Sequence, residues 1–232
     1  MGEYFTPDQI LERHIASMGC ALGTTYNALW QEIAHLTDKW QQYCELYGSN
    51  PSRVELLNQA SPRFFHMVQN ACWETIALHV CRLTDPPQSF GKKNLSVKLL
   101  PSLIDDIECK ANVTKLVSVA SEKAGFCRDW RNRRYAHSDY NLAFDRNSVK
   151  PLEPATRQKM RNAIAALQEL LIYMTEKYEN STLSFDALSL GADDAVGLLY
   201  IIDEGLSARV EKNDRVKRGE LDPRTAYKAQ KL

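Results

Sequence analysis

The sequence predicts an all-α protein, and three observations carry the prediction. Apolar residues recur at alternating steps of three and four, prolines stand where helices should open, and no run alternates apolar with polar residues as a strand would. Beyond Thr6-Pro7-Asp8, the positions Leu11, Ile15, Met18, Leu22, Tyr26, Leu29, Ile33, Leu36, Trp40 and Tyr43 form a continuous stripe, which predicts one long N-terminal amphipathic helix. Gly48-Ser49-Asn50-Pro51 stops it and opens a short helix to about Ala60. Pro62 starts another, with Phe65, Val68, Cys72, Ile76, Val80 and Leu83 on one face and Asp85-Pro86-Pro87 as its stop. Gln88 to Asn94 reads as a loop.

A brief apolar piece, Leu95 to Ile104, leads to a helix expected from about Val113, with Leu116, Ala120, Ala124 and Cys127 inward, running through Trp130 toward His137. A polar loop from Tyr140 to Glu153 separates it from a helix opening near Pro154, whose core stripe is Met160, Ile164, Leu167, Leu171, Met174 and Tyr178. A last helix is expected from Asp193 to about Val210. Residues 1–210 are therefore read as one helical domain, and residues 211–232 as a charged tail, extended or disordered, because large apolar residues are scarce there.

Composition bounds the function classes. With 232 residues, 44% hydrophobic and 25% charged, the chain can bury a sizeable core and resembles neither a fibrous nor a disordered protein. Its formal net charge is zero, so any surface for a polyanion must be a local concentration of base. Cys20, Cys44, Cys72, Cys81, Cys109 and Cys127 show no CxxC pair and no Cys/His cluster at metal-ligand spacing. Free thiols are expected. The N-terminal MGEYFTPDQILERH has no basic segment followed by an apolar run, and no stretch approaches 18 uncharged apolar residues, so the expected place is the cytoplasm, without a membrane.

The densest basic cluster lies in Cys127-Arg128-Asp129-Trp130-Arg131-Asn132-Arg133-Arg134-Tyr135-Ala136-His137-Ser138-Asp139. An Arg followed by His within four to six residues is expected about once by chance in a chain of this composition, so that spacing alone is weak. Requiring Asn directly after the Arg lowers the expectation to about 0.05. Arg131-Asn132, four residues, then His137 resembles the RNxxxxH form of the HEPN superfamily motif. Its surroundings resemble the abortive-infection AbiU branch: Val54-Glu55-Leu56-Leu57-Asn58, Pro62-Arg63-Phe64-Phe65, Arg82-Leu83-Thr84-Asp85-Pro86-Pro87 and Ala136-His137-Ser138-Asp139 are similar to that branch. The resemblance covers about Leu29 to Leu171.

What the resemblance implies is an antiparallel helical bundle forming a homodimer, an endoribonuclease of toxin or antiphage-defence type that needs no metal or other cofactor, and RNA as substrate, with an antitoxin or regulatory partner possible in such systems. By the same carry-over, Arg131 and His137 are the catalytic positions and Asn132 the matched polar position. On a continuous α-helix, Arg131 and His137 would be rotated by about 120° and separated by about 9 Å along the axis, which disfavours a one-chain grip on a phosphate. A two-fold axis could unite them. Histidine titrates near neutrality and moves protons, while arginine offers a permanent, forked charge to phosphoryl oxygens. Arg128, Arg133 and Arg134 are the expected RNA-binding residues.

Bland readings stand beside these. Arginines near a helix end are favoured by its dipole and commonly form a solvated face. Trp130 and Tyr135 read as packing residues before stacking platforms. His14, His35, His66 and His79 read as surface or satisfied interior residues. Asp129, Asp139, Asp193 and Asp194 read as caps or ion-pair partners. A non-catalytic module binding RNA or a nucleotide, and a helical protein-interaction partner, remain the alternative functions.

Overall fold

A computed structural model of the chain describes residues 5–89, 91–135, 140, 144, 150–185 and 194–226. The described part is helical apart from one minimal hairpin, as the 3–4 periodicity requires. The chain forms two compact units, Met1–Trp40 with Cys72–Ser189, and Gln41–Ala71 with Leu190–Leu232.

In the first unit the predicted N-terminal helix is two helices, α1 (Pro7–Met18) and α2 (Cys20–Tyr47). The break is Gly19, at φ 82° and ψ 163°, a conformation that side-chain-bearing residues rarely adopt. Periodicity carries through this break because a single hinge residue leaves the apolar spacing intact. Thr6 caps α1, accepting from Gln9 N at 3.3 Å while the Gln9 side chain accepts from Thr6 N at 2.8 Å. At Gly23 a Cβ would overlap the His14 carbonyl and stand 2.7 Å from Ile15 Cα, so glycine lets α1 lie directly against α2.

The core of this unit combines Leu29, Ile33 and Leu36 of α2 with Met160, Leu167, Leu170, Leu171 and Met174 of α7 (Arg157–Glu179). The direction follows from two hydrogen-bonded pairs: the Tyr26 hydroxyl meets Thr175 Oγ1 at 2.6 Å, and Gln168 Nε2 donates to Thr37 Oγ1 at 2.8 Å. Advancing along α2 retreats along α7, so the two are antiparallel. The same holds for α5 (Ile107–Lys123) against α7, where Cys109 Sγ donates to the Tyr178 hydroxyl and Asn112 Nδ2 donates to that of Tyr173. An antiparallel helical bundle is the observed architecture of this unit.

Several boundaries differ from the sequence expectation. Helix α5 begins at Ile107 rather than Val113, because Asp106 accepts from Cys109 N at 2.7 Å and caps it six residues earlier. The expected continuous helix to His137 is divided into α5, α6 (Gly125–Trp130) and a π-helical turn, Arg131–Tyr135. Leu95 to Ile104 contains a 3-10 helix, Val97–Leu103. Within the expected loop, β1 (Gln88–Ser89) pairs antiparallel with β2 (Lys92–Lys93) around Gly91 at φ 76°, a ladder too short to leave a periodic signal. The α7 stripe is buried from Met160 to Met174, and Tyr178 is half-buried.

The second unit takes α3 (Pro51–Ala60), the adjoining ends of α2 and α4 (Pro62–Thr84), α8 (Ala195–Lys217) and the short α9 (Pro223–Ala226). Its cluster joins Leu46, Leu57, Ala195 and Leu199. Asn50 caps α3, and Asp194 caps α8 by accepting from Val196 N and Gly197 N. Helix α8 runs on to Lys217, past the Val210 end that apolar spacing indicated. No disulfide joins the six cysteines, and Cys81, Cys109 and Cys127 are buried. No described helix is long and apolar enough to cross a membrane.

Candidate functional site

The basic cluster occupies the junction of α6 with the π-helical turn. A π turn widens the helix by inserting a residue, and such insertions recur at functional sites. Arg131–Tyr135 therefore leaves the regular α path on which the spacing within the motif was reckoned. His137, Ala136, Ser138 and Asp139 lie outside the described residues.

Arg131 is held from two sides. Its Nη1 donates to both oxygens of Asp85, at 2.8 and 2.6 Å, and its Nε donates to Asn132 Oδ1 at 3.0 Å. Asp85 follows the end of α4, and its carboxylate raises the already high pKa of Arg131, mainly through this hydrogen bond. Both side chains are largely screened from solvent, with 27% and 20% exposure, so the charge-assisted contact fixes the guanidinium plane. Arg131 Nη2 has no hydrogen-bond partner among the described residues, leaving one face of the fork for an anion. Asn132 is exposed.

The neighbouring arginines differ in their engagement. Arg128 donates to Thr84 Oγ1 at 2.9 Å and also to the Ser121 carbonyl, tying α6 to the end of α4 and to α5. Arg133 donates to the Lys150 carbonyl at 2.6 Å and lies 3.4 Å from Asp129 Oδ1. That pair is the ion-pairing role expected of Asp129, which also accepts from the backbone Glu153 N at 2.8 Å. Arg134 is exposed and lies over the Trp130 ring, 5.5 Å from its centroid. Trp130 Nε1 donates to the Glu153 carbonyl at 2.6 Å, and its ring stands 5.8 Å from that of Tyr135. Tyr135 hydrogen-bonds the Trp73 side chain, while burial pushes its hydroxyl up to about 12. Both aromatic rings are half-buried packing groups.

A second polar group stands on α2 and α4. His79 is 1% exposed, and its Nε2 meets Glu32 Oε2 at 2.8 Å. Burial lowers its pKa to about 4, with Lys39 and Arg82 acting in the same direction and Glu32 opposing them. At neutral pH the ring is uncharged, so Nε2–H donates to Glu32 and Nδ1 is a buried acceptor without a partner among the described residues. His14 is also buried, facing Asn27 Oδ1 at 3.0 Å and Glu179 at 3.5 Å, whereas His35 and His66 are exposed. Among the described residues, no three His, Cys, Asp or Glu side chains come together as a metal site would require.

Sequence reading took Asp85 as part of a helix stop inside a family-like stretch and His79 as a surface or satisfied interior residue, and gave neither a part in the site. The signal for Asp85 is an acid directly before Pro86-Pro87, a position whose partner only folding reveals. Glu32 carries no sequence signal, because acidic residues are common on exposed helix faces. No curated protein and no solved structure matches the chain. The AbiU2 family model of the HEPN class matches residues 19–198, which contain Arg131, Asn132, His137 and Asp85. With most of the chain inside that match and an all-α fold around the motif, the protein belongs to the AbiU2 family of HEPN domains.

Proposed function

We propose that the protein is a metal-independent endoribonuclease of the HEPN toxin or antiphage-defence type, acting in the cytoplasm through a site shared between two chains. The observation that carries this reading is the pinned Arg131. Asp85 and Asn132 fix its guanidinium while Nη2 stays available, so a phosphoryl group meets an oriented cation without reorganisation. The RNA 2′-oxygen attacks its adjacent phosphorus and gives its proton to His137, a P–O2′ bond forms, and the P–O5′ bond breaks. The departing 5′-oxygen takes up a proton, leaving a 2′,3′-cyclic phosphate and a 5′-hydroxyl. Arg131 stabilises the charge that accumulates on the non-bridging oxygens. Arg134 adds a phosphate contact at the surface. Arg128 and Arg133, whose guanidinium groups hold protein oxygens, contribute positive potential and keep the turn in shape.

A specific observation favours the non-catalytic alternative. Asp85 offsets the charge of Arg131 within its own chain, as it would if the pair were only a structural tie. One experiment separates the two readings: pure protein is incubated with end-labelled RNA in EDTA beside His137→Ala and Arg131→Ala, and the ends are analysed. Cleavage to cyclic-phosphate ends, reduced about 10²–10⁴-fold in either variant, is expected. Cleavage that requires Mg²⁺, or that survives His137→Ala, rejects the metal-independent mechanism assigned to Arg131 and His137.

A further inference from the structure

Beside the Asp85–Arg131 pair lies a cavity of about 420 Å³, within the range of small-ligand sites. It is lined by Glu32 of α2, Arg82 of α4, Asp85, Lys93 of β2, Asn94 and Leu95. The geometry points to a base-selecting subsite for single-stranded RNA, in which Glu32 accepts N–H groups from one unpaired base while Arg82 and Lys93 hold the flanking phosphates. This inference rests on the endoribonuclease reading and names the nucleotide that its site selects.

Charge orients the ligand. A phosphate next to the Glu32 carboxylate would be repelled, whereas the exposed Arg82 and Lys93 form no ion pair with any described residue and suit the backbone. Asp85 lines the same cavity, but its charge is already met by Arg131. Glu32 is not a loose surface group. Its Oε2 is fixed by the buried His79, which leaves Oε1 and one lone pair of Oε2 for a ligand. The Asn94 Nδ2 is likewise engaged, donating to the Pro86 carbonyl at 2.9 Å and to Ser89 Oγ at 3.0 Å, which fixes the amide against the hairpin. Leu95 is exposed and offers an apolar surface to a base face. A pinned carboxylate matches the adjacent N1–H and N2–H₂ donors of guanine, while uracil presents one N–H between two carbonyl oxygens that the carboxylate repels. Guanine is therefore the preferred occupant and uracil the least favoured. Contact with Asp85 places the selected nucleotide next to the guanidinium assigned to the phosphorus.

The test uses the full chain and uncleavable 2′-O-methyl RNA pentamers, UUGUU and UUUUU, with affinities measured by fluorescence anisotropy across a salt series. Tighter binding of UUGUU by about tenfold or more is expected, with that preference largely abolished in Glu32→Gln, whose amide keeps the bond to His79. Arg82→Ala with Lys93→Ala should weaken both pentamers and flatten the dependence on salt by about 0.7 in logarithmic slope for each phosphate no longer neutralised. Base preference unchanged in Glu32→Gln, or a salt slope unchanged in the Arg82/Lys93 variant, overturns the subsite. If either result accompanies cleavage in EDTA that His137→Ala abolishes, the endoribonuclease reading survives. Wild-type protein that binds neither pentamer and cuts no RNA overturns both.

Discussion

At the scale of single residues, Arg131 and His79 tie chemistry to stability. Neither the sequence motif nor its family likeness assigns Arg131 a part in the fold, so alanine there would be expected to leave unfolding unchanged. The Asp85 contact reverses that expectation. Arg131→Ala strands a largely buried carboxylate, which should cost about 1–2 kcal/mol and lower Tm by about 2–8 °C in calorimetry. Asp85→Asn with Arg131→Ala together should recover part of that stability, since no lone charge remains. For His79 the folded pKa of about 4 lies below the unfolded 6.5, so the unfolded chain binds more protons between those values. The associated stability is complete above about pH 6.5 and is lost as pH falls through about 4. It amounts to about 3 kcal/mol at most. His14, lowered by its burial, acts in the same direction. Urea unfolding should therefore weaken from pH 7 to pH 4.5, and His79→Gln should flatten that dependence; an unaltered slope would remove His79 as its source.

At the scale of elements, glycines separate helix positions that tolerate a side chain from those that do not. Gly23 stands where α1 touches α2, and Gly23→Ala must displace the His14 carbonyl and Ile15. A destabilisation of about 1–3 kcal/mol in denaturant unfolding is expected, with earlier proteolytic cleavage of α1. Gly205 sits inside α8 with open space around it, so Gly205→Ala should stabilise by about 0.5–1 kcal/mol. The contrast is invisible in the sequence, where both are lone glycines in helical patterns. The starts of α3 and α4 were legible because Pro51 and Pro62 announce them locally. The division after Met18 was not, because a positive-φ glycine preserves the stripe on either side.

At the scale of the whole molecule, activity in the proposed reading depends on a second copy. Light scattering at micromolar concentration should find a homodimer, and a monomer would remove the shared site. Composition of that site can be tested by mixing. Arg131→Ala protein exchanged with His137→Ala protein should regain about a quarter of wild-type cleavage, because half of the random dimers then hold one complete site of two. No recovery would mean that both residues act within one chain. In the same proposed reading, a formal net charge of zero leaves RNA capture to local arginine and lysine positions rather than to long-range attraction.

The sequence by itself determined the all-α class, the core stripes of α2 and α7, and the motif Arg131-Asn132-His137, because periodicity and short motifs are properties of neighbours along the chain. Tertiary structure alone decided what Arg131 touches, since Asp85 is 46 residues away and meets it only when the end of α4 packs beside α6. The same reason brings Glu32 to His79 across 47 residues, and Arg128 to Thr84 across 44. Local signals name which side chains could do chemistry. Packing decides which of them are held by partners and which keep a donor for a ligand.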